Sequence, residues 1–310
     1  MERLYDVIIV GGGPGGYSAA LYSARAGLSI LVLEKLSAGG QMATTTQVDN
    51  YPGFDAGVDG FELAERMQRG AERFGAHTEY VEVTALDLSA QPKKVQTSDG
   101  DYYAGSVILA TGASPRELGV PGEAELRGRG VAYCATCDGM FFKGKTVAVA
   151  GGGNSAVTDA LTLAKVCKKV YLVHRRDTLR ATKTYLETLK KAENIEFVWN
   201  AQIDGLLYNQ EEKAFRGLAL TDKISKKSFE LPCDGVFVAI GRMPETSLVT
   251  GQLDLDAQGY ILADETTRTS LPGVFAAGDV RAKPLRQVVT AAADGAVAAK
   301  FAEEYVQTLV

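Results

Sequence analysis

The fold is decided by residues 5–16, which read YDVIIVGGGPGG. The first six are apolar and β-branched, as a buried parallel strand requires. They lead into Gly11, Gly13 and Gly16, the spacing G-x-G-x-x-G, and a helical pattern follows over residues 17–26. A second apolar run, residues 30–33, ends on Glu34. Strand, glycine loop, helix and strand in this order predict a dinucleotide-binding βαβ unit.

The pattern occurs a second time in the chain. A strand is predicted over residues 146–150, the sequence GGGNSA at 151–156 has the form G-x-G-x-x-A, and a helix is predicted over 156–167 before a strand at 170–173. A single glycine motif also occurs in ordinary tight turns, but its repetition between strand and helix favours nucleotide binding. We therefore predict an α/β protein with two Rossmann-like dinucleotide-binding domains.

Each of the two βαβ units has a second strand, and the residues at the tips of these two strands differ in charge. Glu34 is suited to an unphosphorylated ribose diol, as in FAD or NAD. His174, Arg175 and Arg176 stand at the second tip, with Arg180 beyond, and guanidinium groups match the 2′-phosphate of NADPH. A solvated basic surface is the alternative. However, these residues follow the glycine loop by about twenty residues, the spacing at which a dinucleotide-binding unit contacts the ribose, and this favours phosphate binding. His174 is predicted to position or stack rather than to catalyse.

Three further strand ends support a flavin in the first domain. Residues 107–112 end in Ala-Thr-Gly, and residues 235–241 repeat this pattern in the second half. Residues 274–279 place Asp279 at a strand end, where its carboxylate can bind ribityl hydroxyls. An isolated Gly-Asp pair would indicate only a turn. Together with Glu34, these ends predict FAD in the first domain and NADPH in the second.

Cys134 and Cys137 form a C-x-x-C motif, which suits either a redox disulfide or half of a zinc site. Zinc needs two more ligands, whereas Cys167 and Cys233 stand alone and the chain has 2 histidines, of which His77 is assigned no chemistry. Cys167 is predicted on an apolar helix face. Asp138 follows the pair and can exchange protons with a thiolate, although a helix-capping role is also open. The motif predicts a redox pair and no metal.

The composition excludes several classes of protein. A length of 310 residues favours two domains, and a net charge of −5 without a Lys/Arg block gives no footprint for nucleic acid. No apolar run is long enough for a membrane span. The chain enters an apolar strand by Tyr5, which leaves no room for a signal peptide, and its 4 cysteines do not form a disulfide scaffold. We expect a cytoplasmic protein.

These motifs together resemble the low-molecular-weight, bacterial type of thioredoxin reductase, a class II pyridine nucleotide-disulfide oxidoreductase. The resemblance runs from end to end, and the cysteine motif within the second domain is its most specific part. It is carried by Gly11 to Gly16, Gly39-Gly40-Gln41, Thr44-Thr45-Thr46, Asn50-Tyr51-Pro52-Gly53, Ala110-Thr111-Gly112, Tyr133 to Gly139, Gly151 to Ala156, His174-Arg175-Arg176, Gly278-Asp279 and Arg286-Gln287. Glu245 is a departure, since the family commonly has asparagine there.

The resemblance implies an interrupted architecture. Residues 1–117 and 245–310 would form the FAD-binding domain, and residues 118–244 an inserted NADPH-binding domain that carries the cysteines. Electrons would pass from NADPH through FAD to the disulfide and then to thioredoxin. Cys137 would lie next to the flavin, Cys134 would attack the partner's disulfide and Asp138 would be the acid or base. A swivel of the two domains and a homodimer are also implied.

The expected contacts fall into two sets. Those with FAD are Gly11, Gly13, Pro14, Gly15, Glu34, Gly40, Gln41, Asn50, Thr111, Gly112, Gly278, Asp279, Arg286 and Gln287. Those with NADPH are Gly151, Gly153, Asn154, Ser155, His174, Arg175, Arg176, Arg180 and Gly241. Two alternatives stay open: a reductase of the same fold with a peroxiredoxin or another thioredoxin-like partner, and a non-catalytic redox-sensing or zinc module. A relative that takes its electrons from ferredoxin is disfavoured, because it would not need three arginines to bind the 2′-phosphate of NADPH.

Overall fold

The computed structural model describes residues 4–45, 47–181, 187–189, 191–209, 211 and 214–309. Thr46, part of the threonine motif above, lies outside them. The chain forms two compact units: unit 1 runs up to Ser114 and resumes at Met243, and unit 2 is Pro115–Arg242. The sequence placed the corresponding boundaries after residues 117 and 244. No helix of the described residues is long and apolar enough to cross a bilayer.

Seventeen strands and five α-helices are described. The strands are β1 (Leu4–Val10), β2 (Ile30–Glu34), β3 (His77–Tyr80), β4 (Val83–Asp87), β5 (Lys93–Thr97), β6 (Gly100–Leu109), β7 (Ala113–Pro115), β8 (Val131–Ala132), β9 (Thr146–Ala150), β10 (Lys169–Val173), β11 (Ile195–Val198), β12 (Ala201–Asn209), β13 (Ala214–Asp222), β14 (Ser228–Pro232), β15 (Gly235–Val238), β16 (Arg242–Pro244) and β17 (Val274–Ala276). The helices are α1 (Pro14–Arg25), α2 (Gly60–Glu72), α3 (Ala135–Asp138), α4 (Asn154–Ala164) and α5 (Val288–Gln307).

Unit 1 is built on a seven-stranded sheet of order β3-β2-β1-β6-β5-β4, with β17 also paired to β6. Strands β1, β2, β3, β6 and β17 run parallel, whereas β4 and β5 are antiparallel additions at one edge. Alternate residues of β1 face opposite sides of the sheet. Val7 and Ile9 pack beneath helices α1, α2 and α5, and Ile8 and Val10 pack into the core on the other face.

The last helix of unit 1 packs directly against the first. A Cβ built on Gly295 of α5 would overlap the carbonyl oxygen of Gly15 in α1. The Ser18 hydroxyl donates to the carbonyl oxygen of Ala292 at 2.7 Å. Because Gly295 has no side chain, the two backbones approach closely at the start of α1. The first glycine loop and the C-terminal helix therefore belong to one packed assembly.

Unit 2 repeats this plan on a smaller scale. Its five-stranded sheet, in the order β11-β10-β9-β15-β8, is parallel throughout. Val147 and Val149 pack toward α4, and Ala148 and Ala150 face the core that includes strands β12, β13 and β14. These three strands form a separate antiparallel sheet. In both units a glycine loop follows the carboxyl end of a central strand, and the predicted α/β class is confirmed.

Some predicted element ends were wrong. Helix α1 begins at Pro14 rather than at residue 17, because proline fits the first helical position. Helix α4 begins at Asn154 and ends at Ala164, so Cys167 is buried beyond the helix and not on its apolar face. The sequence after Ala164 has neither the glycine nor the proline that would have indicated this end.

Candidate active site

The first glycine loop is held by strand β2 and leaves a space above α1. The Gly11 N–H donates to the Leu33 carbonyl at 2.8 Å, and the Gly12 N–H donates to Glu34 Oε2 at 2.7 Å. A Cβ built on Gly13 would meet nothing within 4 Å, and α1 has no side-chain cap. The first N–H groups of α1 can therefore bind an anion, as the pyrophosphate of a dinucleotide requires.

Glu34 lies at the tip of β2, where the sequence placed the ribose contact. Its Oε1 also accepts from the Leu36 N–H at 3.1 Å, so both carboxylate oxygens bind backbone. The Gly39 N–H donates to the Gly12 carbonyl at 2.7 Å, which brings residues 39–41 beside the loop. Gly40 has a φ of 54°, and Gln41 next to it is exposed. The structure thus brings Gly13, Glu34 and Gly40 together.

The Ala-Thr-Gly strand end is joined to the segment after β16. The Thr111 hydroxyl donates to the Glu245 carbonyl at 2.7 Å, and the Glu245 N–H donates to the Gly112 carbonyl at 3.0 Å. Glu245, the departure from the family pattern, also accepts from the Ser114 hydroxyl through Oε1 at 2.7 Å. Its side chain is therefore fixed beside the Ala-Thr-Gly strand end.

The remaining predicted FAD contacts gather at the start of α5. The Asn50 side-chain amide donates to Gln287 Oε1 at 2.9 Å, and Gln287 is the N-cap of α5. Arg286 Nε donates to the Asp279 carbonyl at 3.3 Å, and its guanidinium lies 3.9 Å from the centre of the Tyr260 ring. The Arg286 side chain thus holds the Gly278-Asp279 turn.

Sequence reasoning missed a buried charge cluster beneath this turn. Asp294 Oδ2 accepts from the Gly278 N–H at 3.0 Å and from Lys283 Nζ at 2.7 Å. The Lys283 side chain is 5% exposed, and Arg281 Nε lies 3.4 Å from the same oxygen. A carboxylate within the alanine-rich sequence of α5 was the available signal. The cluster fixes the backbone on which Asp279 stands.

The second glycine loop has the same backbone frame in unit 2. The Gly151 N–H donates to the Val173 carbonyl at 3.0 Å, and a Cβ built on Gly153 would meet nothing within 4 Å. Asn154 and Ser155 begin α4, which has no side-chain cap, and both are exposed. This loop therefore offers a second space of the kind that a pyrophosphate fills.

Basic residues stand at the tip of β10, beside this loop. Arg175, Arg176 and Arg180 are exposed, and the Arg180 N–H donates to the Gly152 carbonyl at 2.7 Å. His174 is 5% exposed, and desolvation together with the three arginine charges lowers its pKa. Gly241, also in the predicted set, is exposed and its carbonyl accepts from the Arg116 N–H at 2.9 Å. Three exposed guanidinium groups beside a phosphate loop suit a 2′-phosphate.

The two central cysteines are joined in a disulfide. Their Cα atoms are 5.3 Å apart, and the Cys137 N–H lies 3.1 Å from Cys134 Sγ as a hydrogen-bond donor. Asp138 ends the short helix α3, and burial raises its pKa to about 6. The N–H contact would stabilise a thiolate on Cys134, and a carboxyl with this pKa can exchange protons near neutrality.

A second network missed by the sequence analysis leads to the disulfide. Glu123 is 3% exposed, and its carboxylate accepts from the N–H groups of Leu118 and Gly119 and from the Tyr133 hydroxyl, each at 2.8 Å. Tyr133 directly precedes Cys134. The network therefore fixes the backbone on the N-terminal side of the redox pair.

The other cysteines take no part in this chemistry. Cys167 and Cys233 are buried and free, and burial raises the pKa of the Cys233 thiol to about 12. Among the described residues no three His, Cys, Asp or Glu side chains are grouped to hold a metal ion. Both thiols are therefore unreactive under ordinary conditions.

Comparison with known proteins agrees with this arrangement. The pyridine nucleotide-disulphide oxidoreductase family matches residues 5–295, and the chain belongs to that family. It is 46% identical to thioredoxin reductase of Treponema pallidum, over 100% of this chain and 99% of that protein. It is also 46% identical to thioredoxin reductase of Streptomyces coelicolor, over 100% of this chain and 96% of that protein.

The fold of the chain is also similar to solved structures of thioredoxin reductases. Thioredoxin reductase from Streptococcus pyogenes superimposes with a TM-score of 0.91 at 40% identity, over 99% of this chain and 100% of that chain. The chain is an FAD-dependent oxidoreductase of this family, whose thioredoxin reductases use FAD and NADPH. The two open glycine loops, with a carboxylate at one strand tip and arginines at the other, fit these two groups.

Proposed function

We propose that this protein reduces the disulfide of thioredoxin, with FAD held by unit 1 and NADPH by unit 2. One observation carries the proposal: the Cys134–Cys137 disulfide lies in the unit whose glycine loop has arginines at its strand tip. Gly13, Glu34 and Asp279 would hold FAD, and Gly153 with Arg175 would hold NADPH. When bound, these groups deliver two electrons to the disulfide.

The cysteines and Asp138 would carry out the exchange with the partner. The Cys134 thiolate, stabilised by the Cys137 N–H, attacks the partner's disulfide and forms a mixed disulfide as one partner sulfur leaves. The Cys137 thiolate then attacks Cys134 Sγ, which re-forms the internal disulfide and releases the second partner sulfur. Asp138 would supply a proton to a leaving thiolate, since its pKa of about 6 allows transfer near neutrality.

Two exposed apolar side chains beside the disulfide support a protein substrate. Met140 and Phe141, which follow α3, are 56% and 49% exposed. Adjacent exposed apolar side chains can form part of a protein contact surface. A small disulfide would not need them, so Phe141→Ser should weaken reduction of thioredoxin more than reduction of a small aromatic disulfide. Leu262, 46% exposed in unit 1, gives a matched control in Leu262→Ser.

The decisive experiment is Cys134→Ser with flavin reduction and thioredoxin reduction measured separately. We expect NADPH to bleach the flavin absorbance as in the wild type, because neither nucleotide site is altered. Thioredoxin reduction should fall by about 1,000-fold or more, since serine cannot form the mixed disulfide. Cys167→Ser, at a buried free cysteine, is the control. Full thioredoxin turnover by Cys134→Ser would overturn the proposal.

The proposal extends to assembly and location. We infer a cytoplasmic homodimer that has no membrane or nucleic-acid partner. The net charge of −5 supports the absence of nucleic acid, and the two buried free cysteines, Cys167 and Cys233, suit a reducing compartment such as the cytoplasm. Sedimentation of the holoenzyme would report its mass, and a monomer at micromolar concentration would contradict the dimer.

A further inference from the structure

The imidazole of His174 occupies the place that a side chain at position 152 would need. A Cβ built on Gly152 would collide with Cε1, Nδ1 and Nε2 of His174. Gly152 does not have a positive φ, so its backbone would accept alanine without strain. Glycine is therefore required at this position by the histidine ring and not by the chain conformation.

The backbone on both sides of this contact is fixed. The His174 N–H donates to the Val198 carbonyl at 2.9 Å, and its own carbonyl accepts from the Ala201 N–H at 3.0 Å. The Gly152 carbonyl accepts from the Arg180 N–H at 2.7 Å. The ring is 5% exposed, so it has little free space into which to move. The ring and the Arg180 contact together join the glycine loop to the arginine segment.

The charge state of the ring suits this packing role. Burial is the largest cause that lowers the pKa of His174, and the charges of Arg180, Arg175 and Arg176 lower it further, while a hydrogen bond to the Thr178 backbone opposes them. The ring is therefore neutral at pH 7. Its Nε2 is buried and has no hydrogen-bond partner among the described residues. A neutral ring can lie against the loop amid three guanidinium groups without further repulsion.

We propose that His174 is a positioning residue that sets the distance between the loop Gly151-Gly152-Gly153 and the arginine pair Arg175-Arg176. With this distance fixed, one NADPH molecule can place its pyrophosphate on the loop and its 2′-phosphate on the arginines together. The inference rests on the proposed function, since it assumes that NADPH binds in unit 2. It adds that selectivity for NADPH over NADH depends on a contact within the protein as well as on the arginines.

The test measures flavin reduction by NADPH and by NADH in four holoenzymes: wild type, His174→Ala, Gly152→Ala and the double variant. His174→Ala should lower the NADPH/NADH ratio of kcat/KM by about tenfold, because the loop loses its support. Gly152→Ala should lower it about as much, because the new methyl group displaces the ring. In the double variant the methyl group enters the vacated space, and the ratio should return to within about threefold of the wild type.

Controls separate positioning from general damage. NADH-supported kcat/KM should fall clearly less than NADPH-supported kcat/KM in each single variant, because NADH also uses the glycine loop but lacks the phosphate that the arginines bind. His77→Ala removes the chain's other histidine, which is exposed in unit 1, and should change neither ratio nor rate.

Three outcomes would overturn the inference. They are an unchanged ratio in His174→Ala, losses that add in the double variant, and equal losses with both coenzymes. The last outcome includes a variant whose unit 2 fails to fold, because His174 would then be structural only. Failure of the proposed function is distinct, since the wild-type protein itself would then show no flavin reduction by NADPH.

Discussion

The two glycine loops share a backbone frame but differ in what lies against their second glycine. In both, the N–H of the first glycine donates to a carbonyl near the end of the neighbouring strand, from Gly11 to Leu33 at 2.8 Å and from Gly151 to Val173 at 3.0 Å. The third glycine of each faces open space. Beside the second glycine, however, unit 1 has the Glu34 carboxylate as a hydrogen-bond acceptor, whereas unit 2 has the His174 ring packed against it.

This difference separates two tasks that the motif performs. The first and third glycines provide the close turn and the open anion site, which any dinucleotide needs. The residue at the tip of the strand lies beside the second glycine. It therefore determines how the loop is fixed to the part of the site that we expect to select the cofactor. We expect Glu34 to perform both functions with one carboxylate. In unit 2 these functions would be divided between His174, which fixes the loop, and the arginines that follow it.

The largest effect is expected at the sixth and last position of the G-x-G-x-x-G/A pattern, where unit 1 has Gly16 and unit 2 has Ala156. A Cβ on Gly16 would overlap the Gly11 carbonyl oxygen, which is backbone and cannot move aside. Gly16→Ala should therefore cost about 3 kcal/mol of stability and remove most bound flavin. The flavin-to-protein absorbance ratio and the thermal midpoint would measure this. Ala156→Gly, the reverse change in unit 2, should cost only about 1 kcal/mol. Full flavin content in Gly16→Ala would contradict the close packing.

Changes at the strand tips should act on one cofactor each. Glu34→Gln removes a charged acceptor from the Gly12 N–H and should weaken FAD binding by about tenfold. Arg176→Ala removes an exposed guanidinium and should weaken NADPH binding by about 10- to 100-fold while sparing NADH. Titration of apoprotein with FAD and of holoenzyme with each coenzyme would separate the two. If Arg176→Ala weakened NADPH and NADH equally, the arginines would not be the phosphate site.

A smaller effect, which depends on pH, is expected at the buried Asp138 carboxyl of unit 2. Burial raises the pKa of Asp138 from 3.8 to about 6, so its ionisation opposes folding above pH 6 and no longer does so below about pH 4. Asp138→Asn should therefore stabilise the protein at pH 8 by on the order of 2 kcal/mol, and by little at pH 4. Thermal unfolding at both values would measure this.

The same substitution should remove the proton donor of the exchange step. In the wild type, thioredoxin reduction that depends on protonated Asp138 should decline as the pH rises through about 6. Asp138→Asn should be slower and lack this decline. Asp159→Asn is the matched control, because burial also raises the pKa of Asp159 to about 6. It should alter stability with pH in the same direction but keep the wild-type activity profile.

The predictable part of this molecule is local in sequence. The strands, glycine loops and strand-tip charges follow from short apolar runs and fixed spacings, and they are where the sequence placed them. The missed contacts join residues from separate elements: Asp294 to Gly278, Glu123 to Tyr133, and His174 to Gly152. Such pairs depend on how helices and strands pack, and no spacing rule specifies them. The end of α4 was missed because no stop residue marks it.

The close contact of Gly15 with Gly295 also has a consequence for the order in which the protein forms. During synthesis, β17 and α5 leave the ribosome only after all of unit 2, which is continuous in sequence and can fold as a unit. Unit 1 must meanwhile keep an unpaired edge on β6 and an uncovered face on α1. The two parts of unit 1 are separated in sequence by the whole of unit 2, so they must be brought together before their contacts can form. The entropy cost of closing so long a loop therefore slows the folding of unit 1. The first motif to be translated is the last nucleotide site to be completed.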